Sequence, residues 1–177
     1  MLESSRMSIN PCRLVAMVAL LVGLALPAAA QEVQYLETNR DWHAFQFTEN
    51  GNPVCYMASR PTREEGNYTR RGEVFVLVTH RPAESSRNVV SFISGYTFQA
   101  DSEVTVTVGN DSFSLFTDGE TAWARDSATD NQIVAAMRAG ANMVVRGTSS
   151  RGTVTTDTYS LFGFTATLEA IDQACGF

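Results

Sequence analysis

Lysine is missing from this sequence: all 13 basic residues are arginine, so any lysine-based chemistry is excluded. Histidine is nearly missing, with only His43 and His80 to act as bases. There are three cysteines and no Cys/His cluster of the kind that holds zinc. No Gly-x-Ser-x-Gly pattern marks a nucleophile elbow. The paired acids at Asp126 to Asp130 and at Asp101-Ser102-Glu103 lack the Asp-x-Asp-x-Asp-Gly spacing of a calcium loop. Basic residues do not cluster and the net charge is −6, which argues against nucleic-acid binding. Nothing here calls for a cofactor, and there is no internal repeat or low-complexity tract.

Long apolar runs are also lacking, apart from Leu14 to Leu26 near the N-terminus. That run is shorter than the about 20 residues of a membrane span. Arg6 and Arg13 precede it and Pro27-Ala28-Ala29-Ala30 follows, which is the layout of a signal peptide cleaved between Ala30 and Gln31. An uncleaved anchor is the alternative. Cys12 precedes the run and so is not placed as a lipoprotein acceptor, and Met7 is an alternative start with the same cleavage site. The division is therefore 1–30 as signal peptide and 31–177 as one domain, exported to the periplasm with possible outer-envelope association and no integral membrane span after cleavage.

After cleavage two cysteines remain, Cys55 and Cys175, and in an oxidising compartment two such residues most often pair. The loop so closed is worth about 4 to 5 kcal/mol on the chain-entropy model. The competing reading is a free catalytic thiol at Cys55 partnered by His43 or His80, although neither spacing forms a known signature.

The mature chain reads mainly as short strands. Trp42 to Phe47 and Val54 to Arg60 flank a turn at Glu49-Asn50-Gly51-Asn52-Pro53. Pro61 to Gly72 reads as a polar loop. Glu73 to His80 is apolar on both faces, as in a central strand, and stops at Pro82. Asn88 to Tyr96 follows, with Gly95 as a bulge or close-packing point. Glu103 to Val108, Ser112 to Thr117 and Thr121 to Arg125 form a three-strand meander with turns at Gly109-Asn110 and Asp118-Gly119. A short helix is expected to start at a capping box of Thr129 and Gln132, to carry Ile133, Val134 and Met137 on one face and to end at Gly140, with Asp130 assisting its N-terminus. Met143 to Arg146 and Thr153 to Leu161 are the last strands. A terminal helix then places Phe164, Leu168, Ile171 and Cys175 on one stripe, aiming Cys175 at the core.

About eight strands and two short helices predict an all-β, immunoglobulin-like sandwich, with a small closed β-barrel as the alternative. Of the aromatics Trp42, Phe45, Phe47, Phe75, Phe92, Phe98, Phe113, Phe116 and Trp123, roughly three in four are expected in the core. Charge is uneven along the chain. Arginine is frequent from Arg60 to Arg87, whereas seven acids face Arg125 alone between Asp101 and Asp130. A solvated mixed surface is the plain reading. The functional one is a bipolar surface that orients the domain on a partner, with Arg60, Arg63, Arg70, Arg71, His80 and Arg81 as its positive side.

Ser150 to Cys175 (SRGTVTTDTYSLFGFTATLEAIDQAC), and within it LFGFTA at Leu161 to Ala166, resembles the C-terminal part of the invasion-associated locus B family of exported bacterial proteins. VCYMASRP around Cys55, VTHRP at Val78 to Pro82, VSFISGY at Val90 to Tyr96 and the Trp123 to Met137 region extend the resemblance across nearly all of the mature chain. It implies a periplasmic or envelope-associated immunoglobulin-like sandwich, in a family named for host-cell invasion phenotypes. The resemblance brings no catalytic residues to carry over. Many members have a further cysteine pair in the middle of the domain, which this chain lacks.

The function so indicated is a non-enzymatic interaction or binding module, its partner an unknown envelope or host protein. The alternative is a small-ligand-binding protein or an enzyme with a cleft near Cys55, His80 and Arg81.

Overall fold

The structure, a computed structural model, describes residues 32–177. The segment read as a signal peptide, with its expected cleavage point, lies outside the described residues.

Eleven antiparallel strands form one sheet in the order β1-β2-β3-β5-β6-β9-β8-β7-β10-β11-β4. They are β1 (Gln34–Asn39), β2 (Trp42–Glu49), β3 (Asn52–Ser59), β4 (Arg63–Gly66), β5 (Phe75–Arg81), β6 (Ser86–Ile93), β7 (Glu103–Val108), β8 (Asp111–Asp118), β9 (Thr121–Trp123), β10 (Asn142–Thr148) and β11 (Val154–Ser160). Helix α1 (Ser127–Ala139) and helix α2 (Phe164–Cys175) complete the fold. The end strands β1 and β4 do not pair, so the sheet is an all-β sandwich-like structure and not a closed barrel. It curls so that its inner face packs on itself: Phe92 of β6 meets Tyr159 of β11 edge-on, with centroids 6.4 Å apart.

The inner face follows from period-two alternation. Val104, Val106 and Val108 of β7 are buried, as are Val76 and Val78 of β5 and Met143 and Val145 of β10. The meander of β7, β8 and β9 forms where the turn residues place it. Pro82 ends β5 in a short 3-10 turn. Helix α2 closes one end of the inner face with Phe164, Leu168, Ile171 and Cys175, all buried as their stripe predicts. There the Trp42 indole donates to the Ser160 carbonyl at 3.0 Å and its ring meets Phe164 edge-on. Cys175 is bonded to Cys55 of β3, with their Cα atoms 6.0 Å apart.

Several expectations require correction. There are eleven strands where about eight are expected: β1, paired with β2, and β4, paired with β11, join the nine stretches read as strands. Both are sheet edges with mostly exposed side chains, so neither shows an apolar alternation, and β4 lies inside the stretch read as loop. The cap of α1 is Asp126, whose carboxylate accepts the Thr129 backbone N–H at 2.7 Å, and not a Thr129/Gln132 box. Asp130 is buried and accepts the Val90 N–H of β6 at 2.9 Å, fastening α1 to the sheet. Among the nine aromatics only Trp42, Phe92 and Phe98 are buried. The others are half-buried. They shield one another or are shielded by charges: Phe45 stacks on Tyr56, Phe116 packs on Trp123 and Arg60 covers Phe75.

Candidate functional site

Two ionic centres lie under this fold, and one of them borders a cavity. The cavity starts from a backbone crossing. The Gly72 N–H donates to the Gly95 carbonyl at 2.8 Å. Gly95 has φ +69°, and a Cβ there would stand 2.5 Å from the Gly72 oxygen, so the segments meet this closely only as glycine. The crossing turns Arg71 inward. Its Nε donates to the Ser94 carbonyl at 2.7 Å, and Nη1 and Nη2 donate to the two carboxylate oxygens of Asp157, each at 2.6 Å. Nη1 also lies 3.5 Å from Glu64. The two side chains are almost closed to solvent, 4% exposed for Arg71 and 6% for Asp157.

Tyr96 and Tyr68 flank the guanidinium, which sits 5.1 Å and 5.6 Å from their ring centroids. The Tyr96 hydroxyl is bonded to Thr155 Oγ1 at 2.6 Å. Burial by itself disfavours the charged arginine, but the hydrogen bonds and charge of Asp157 outweigh it and hold Arg71 protonated above its usual range. Burial also pushes the Tyr96 phenol up, so it stays neutral. In front of this centre opens a groove of about 760 Å³ whose lining includes Arg70, Arg71 and Arg151 but no acid. A second void of about 10 Å³ lies beside Phe92, Phe98 and Tyr159 and has room for about one water.

The second centre is sealed. His80 of β5 is fully buried. Its Nδ1 faces the Asn88 backbone N–H at 3.1 Å, and a backbone N–H can only donate. Nδ1 is therefore the acceptor, and Nε2 carries the proton given to Asp172 at 2.9 Å. Arg87 reaches the same carboxylate at 2.8 Å and Arg138 at 3.7 Å. Phe177 packs edge-on against the imidazole. Burial lowers the pKa of His80 more than Asp172 raises it, so the ring is neutral near pH 7.

The residues singled out from sequence divide accordingly. Arg70 and Arg71 line the groove, although Arg71 is buried and His80 is sealed beneath α2, so neither presents charge at a free surface. Arg60 pairs with Glu73, Arg63 with Glu65 and Arg81 with Glu49. The expected bipolar surface is weaker for this reason, and Asp130 on its negative side is buried. Cys55 and His80 are cross-strand neighbours, but Cys55 is in the disulfide and neither cavity is lined by Cys55, His80 or Arg81. His43 is exposed and bonded to Thr38 at 2.7 Å. Among the described residues no group of three or more His, Cys, Asp or Glu is placed to hold a metal, and no helix is long and apolar enough to cross a membrane.

Sequence reasoning missed Asp157, Asp172 and Tyr96. A signal existed for two of them. Asp157 shares the inward parity of Thr155 and Tyr159 on β11, and Asp172 shares the apolar stripe of α2 with Leu168 and Cys175. A carboxylate on a core face needs a buried partner.

A solved structure of invasion associated protein B from Bartonella henselae is similar to this chain, with a TM-score of 0.53 at 18% identity, covering 78% of this chain and 95% of that one. None of the curated proteins matches it. The family model described as invasion associated locus B (IalB) protein matches residues 42–172. On that match the chain belongs to the invasion associated locus B family.

Proposed function

We propose that this chain is an exported, non-enzymatic binding module of the bacterial envelope, and that it engages its ligand or partner through the groove in front of Arg71. The observation that carries this is the construction of the groove. Its buried charges are already committed to each other, Arg71 to Asp157 and to the Ser94 carbonyl, so they give the site shape and potential while staying out of proton transfer. Export rests on the N-terminal signal pattern and accords with the Cys55–Cys175 bond, which persists in oxidising compartments. The partner is an envelope or host component.

A photo-crosslinking residue placed at Thr97 on the groove wall, and separately at Ser112 on β8 outside it, tests the reading in living cells. Osmotic release is expected to yield the protein in the periplasmic fraction, with a discrete adduct from position 97 alone. Retention in the cytoplasm, or the same adduct from both positions, overturns it.

A further inference from the structure

We propose that the groove binds an acidic saccharide, an inference that rests on the groove being the binding site. Three independent features of its wall converge on that chemistry.

The first is uncommitted positive charge. Among the described residues seven arginines enter ion pairs, namely Arg60, Arg63, Arg71, Arg81, Arg87, Arg125 and Arg138. Arg40, Arg70, Arg146 and Arg151 do not, and two of these four, Arg70 and Arg151, line this groove, whose lining contains no acidic side chain. Arginine beyond what the fold uses, around a cavity without a counter-charge, selects an anion.

The second is the rest of the wall, which is hydroxyl- and amide-bearing: Asn67, Thr69, Thr97, Ser150 and Thr153. Small apolar ligands are held in pockets lined mainly by hydrophobic side chains. A wall of this kind offers instead the donors and acceptors that ring hydroxyls need, and Tyr68 and Tyr96 add aromatic surface for C–H contact. At about 760 Å³ the groove falls within the range of small-molecule sites, about 300–1,000 Å³, and is far larger than a lone phosphate requires.

The third is the state of the backbone. A peptide would be bound by strand addition, through free backbone N–H and C=O groups. On this wall two of those groups are already spent: Gly72 N–H on the Gly95 carbonyl and Ser150 N–H on the Thr97 carbonyl. At those two positions recognition falls to side chains, which suits a sugar better than a peptide.

The test titrates the oxidised protein with trigalacturonate, maltotriose and inorganic phosphate, following backbone amide shifts by NMR. Trigalacturonate is expected to move the amides around Arg70, Tyr96 and Arg151. Maltotriose, which lacks the carboxylates, and phosphate, which lacks the rings, are each expected to bind at least about tenfold more weakly. The double variant Arg70→Ala/Arg151→Ala is expected to lose at least about tenfold in trigalacturonate affinity with an unchanged Tm, since neither side chain is in an ion pair. Phosphate binding as tight as trigalacturonate, shifts confined to other faces, undiminished binding by the double variant, or no response at millimolar trigalacturonate each overturns the proposal. If trigalacturonate fails while the Thr97 crosslink persists, the saccharide falls and the binding-module reading stands.

Discussion

The two buried ionic centres use similar ingredients to opposite ends. Each sets an inward carboxylate, Asp157 or Asp172, against a buried basic group, Arg71 or His80. At Arg71 the base is held charged and lies in the wall of a groove. At His80 the base is neutral and capped by α2, Phe177 and the disulfide. A full charge is kept in the groove wall, and a neutral hydrogen-bonded ring is used where the fold is sealed. The contrast follows from solvation: a buried ion pair is a poor source of stability compared with apolar packing, so its retention at the groove accords with a role in binding.

The largest effect is expected at the sealed centre. Cys175→Ser should lower stability by about 4 to 5 kcal/mol on the chain-entropy model, measured by urea unfolding with and without reductant. Equal stability of oxidised and reduced wild type would remove the disulfide from the account of how that end is held. Asp157→Ala comes next, at about 3 to 5 kcal/mol, because it strands a buried guanidinium. The double change Arg71→Met/Asp157→Leu should recover most of that loss. If it loses as much as the single change, the pair is not acting as a unit and the comparison fails.

A smaller effect separates the centres by pH. Burial depresses the His80 pKa, so in the range below about 6.5 the unfolded chain binds the extra proton first. The contribution of His80 is therefore complete above about 6.5 and declines as pH falls below it, until the folded ring itself protonates. Protonation would set an Nδ1–H against the Asn88 N–H, while Asp172 partly compensates and Arg87 and Arg138 oppose it. Unfolding curves of wild type and His80→Gln at several pH values should show a flatter acid limb in the variant. Identical slopes would place the acid sensitivity elsewhere. The smallest change is expected for Asp130→Asn, which keeps an acceptor for the Val90 N–H and removes a carboxylate whose pKa burial has raised. It should fall within about 1 kcal/mol of wild type near pH 7, whereas Asp130→Ala should cost about 1 to 3 kcal/mol. Equal losses would mean that the contact is not what fixes α1.

What could be read from the residues was whatever repeats with a period. The meander of β7, β8 and β9 was visible in EVTVTV and its Gly turns, and the core stripe of α2 in Phe164, Leu168, Ile171 and Cys175. Strands β1 and β4 carry no such period because an edge strand can leave most of its side chains in water. The aromatics misled for a related reason. A sheet has two faces, and Phe45, Phe47 and Trp123 lie half-buried on the one that α1 and α2 do not cover. The groove was the least legible part. Arg71 looked like one of several arginines in a polar loop, and only the Gly72–Gly95 crossing turns it inward toward Asp157, 86 positions away. Composition identified Gly95 as a close-packing point but could not name what it packs against.

A chain is synthesised from its N-terminus, and Cys175 is the last residue of α2. Its partner Cys55 belongs to the second hairpin strand and is made 120 positions earlier. Until α2 is present, Cys55 has no native partner and the Trp42 end of the inner face has no lid. A product cut short before Cys175 leaves Cys55 unpaired beside the apolar surface that α2 covers. Closing the bond therefore has to wait until α2 has been made, however early Cys55 becomes available.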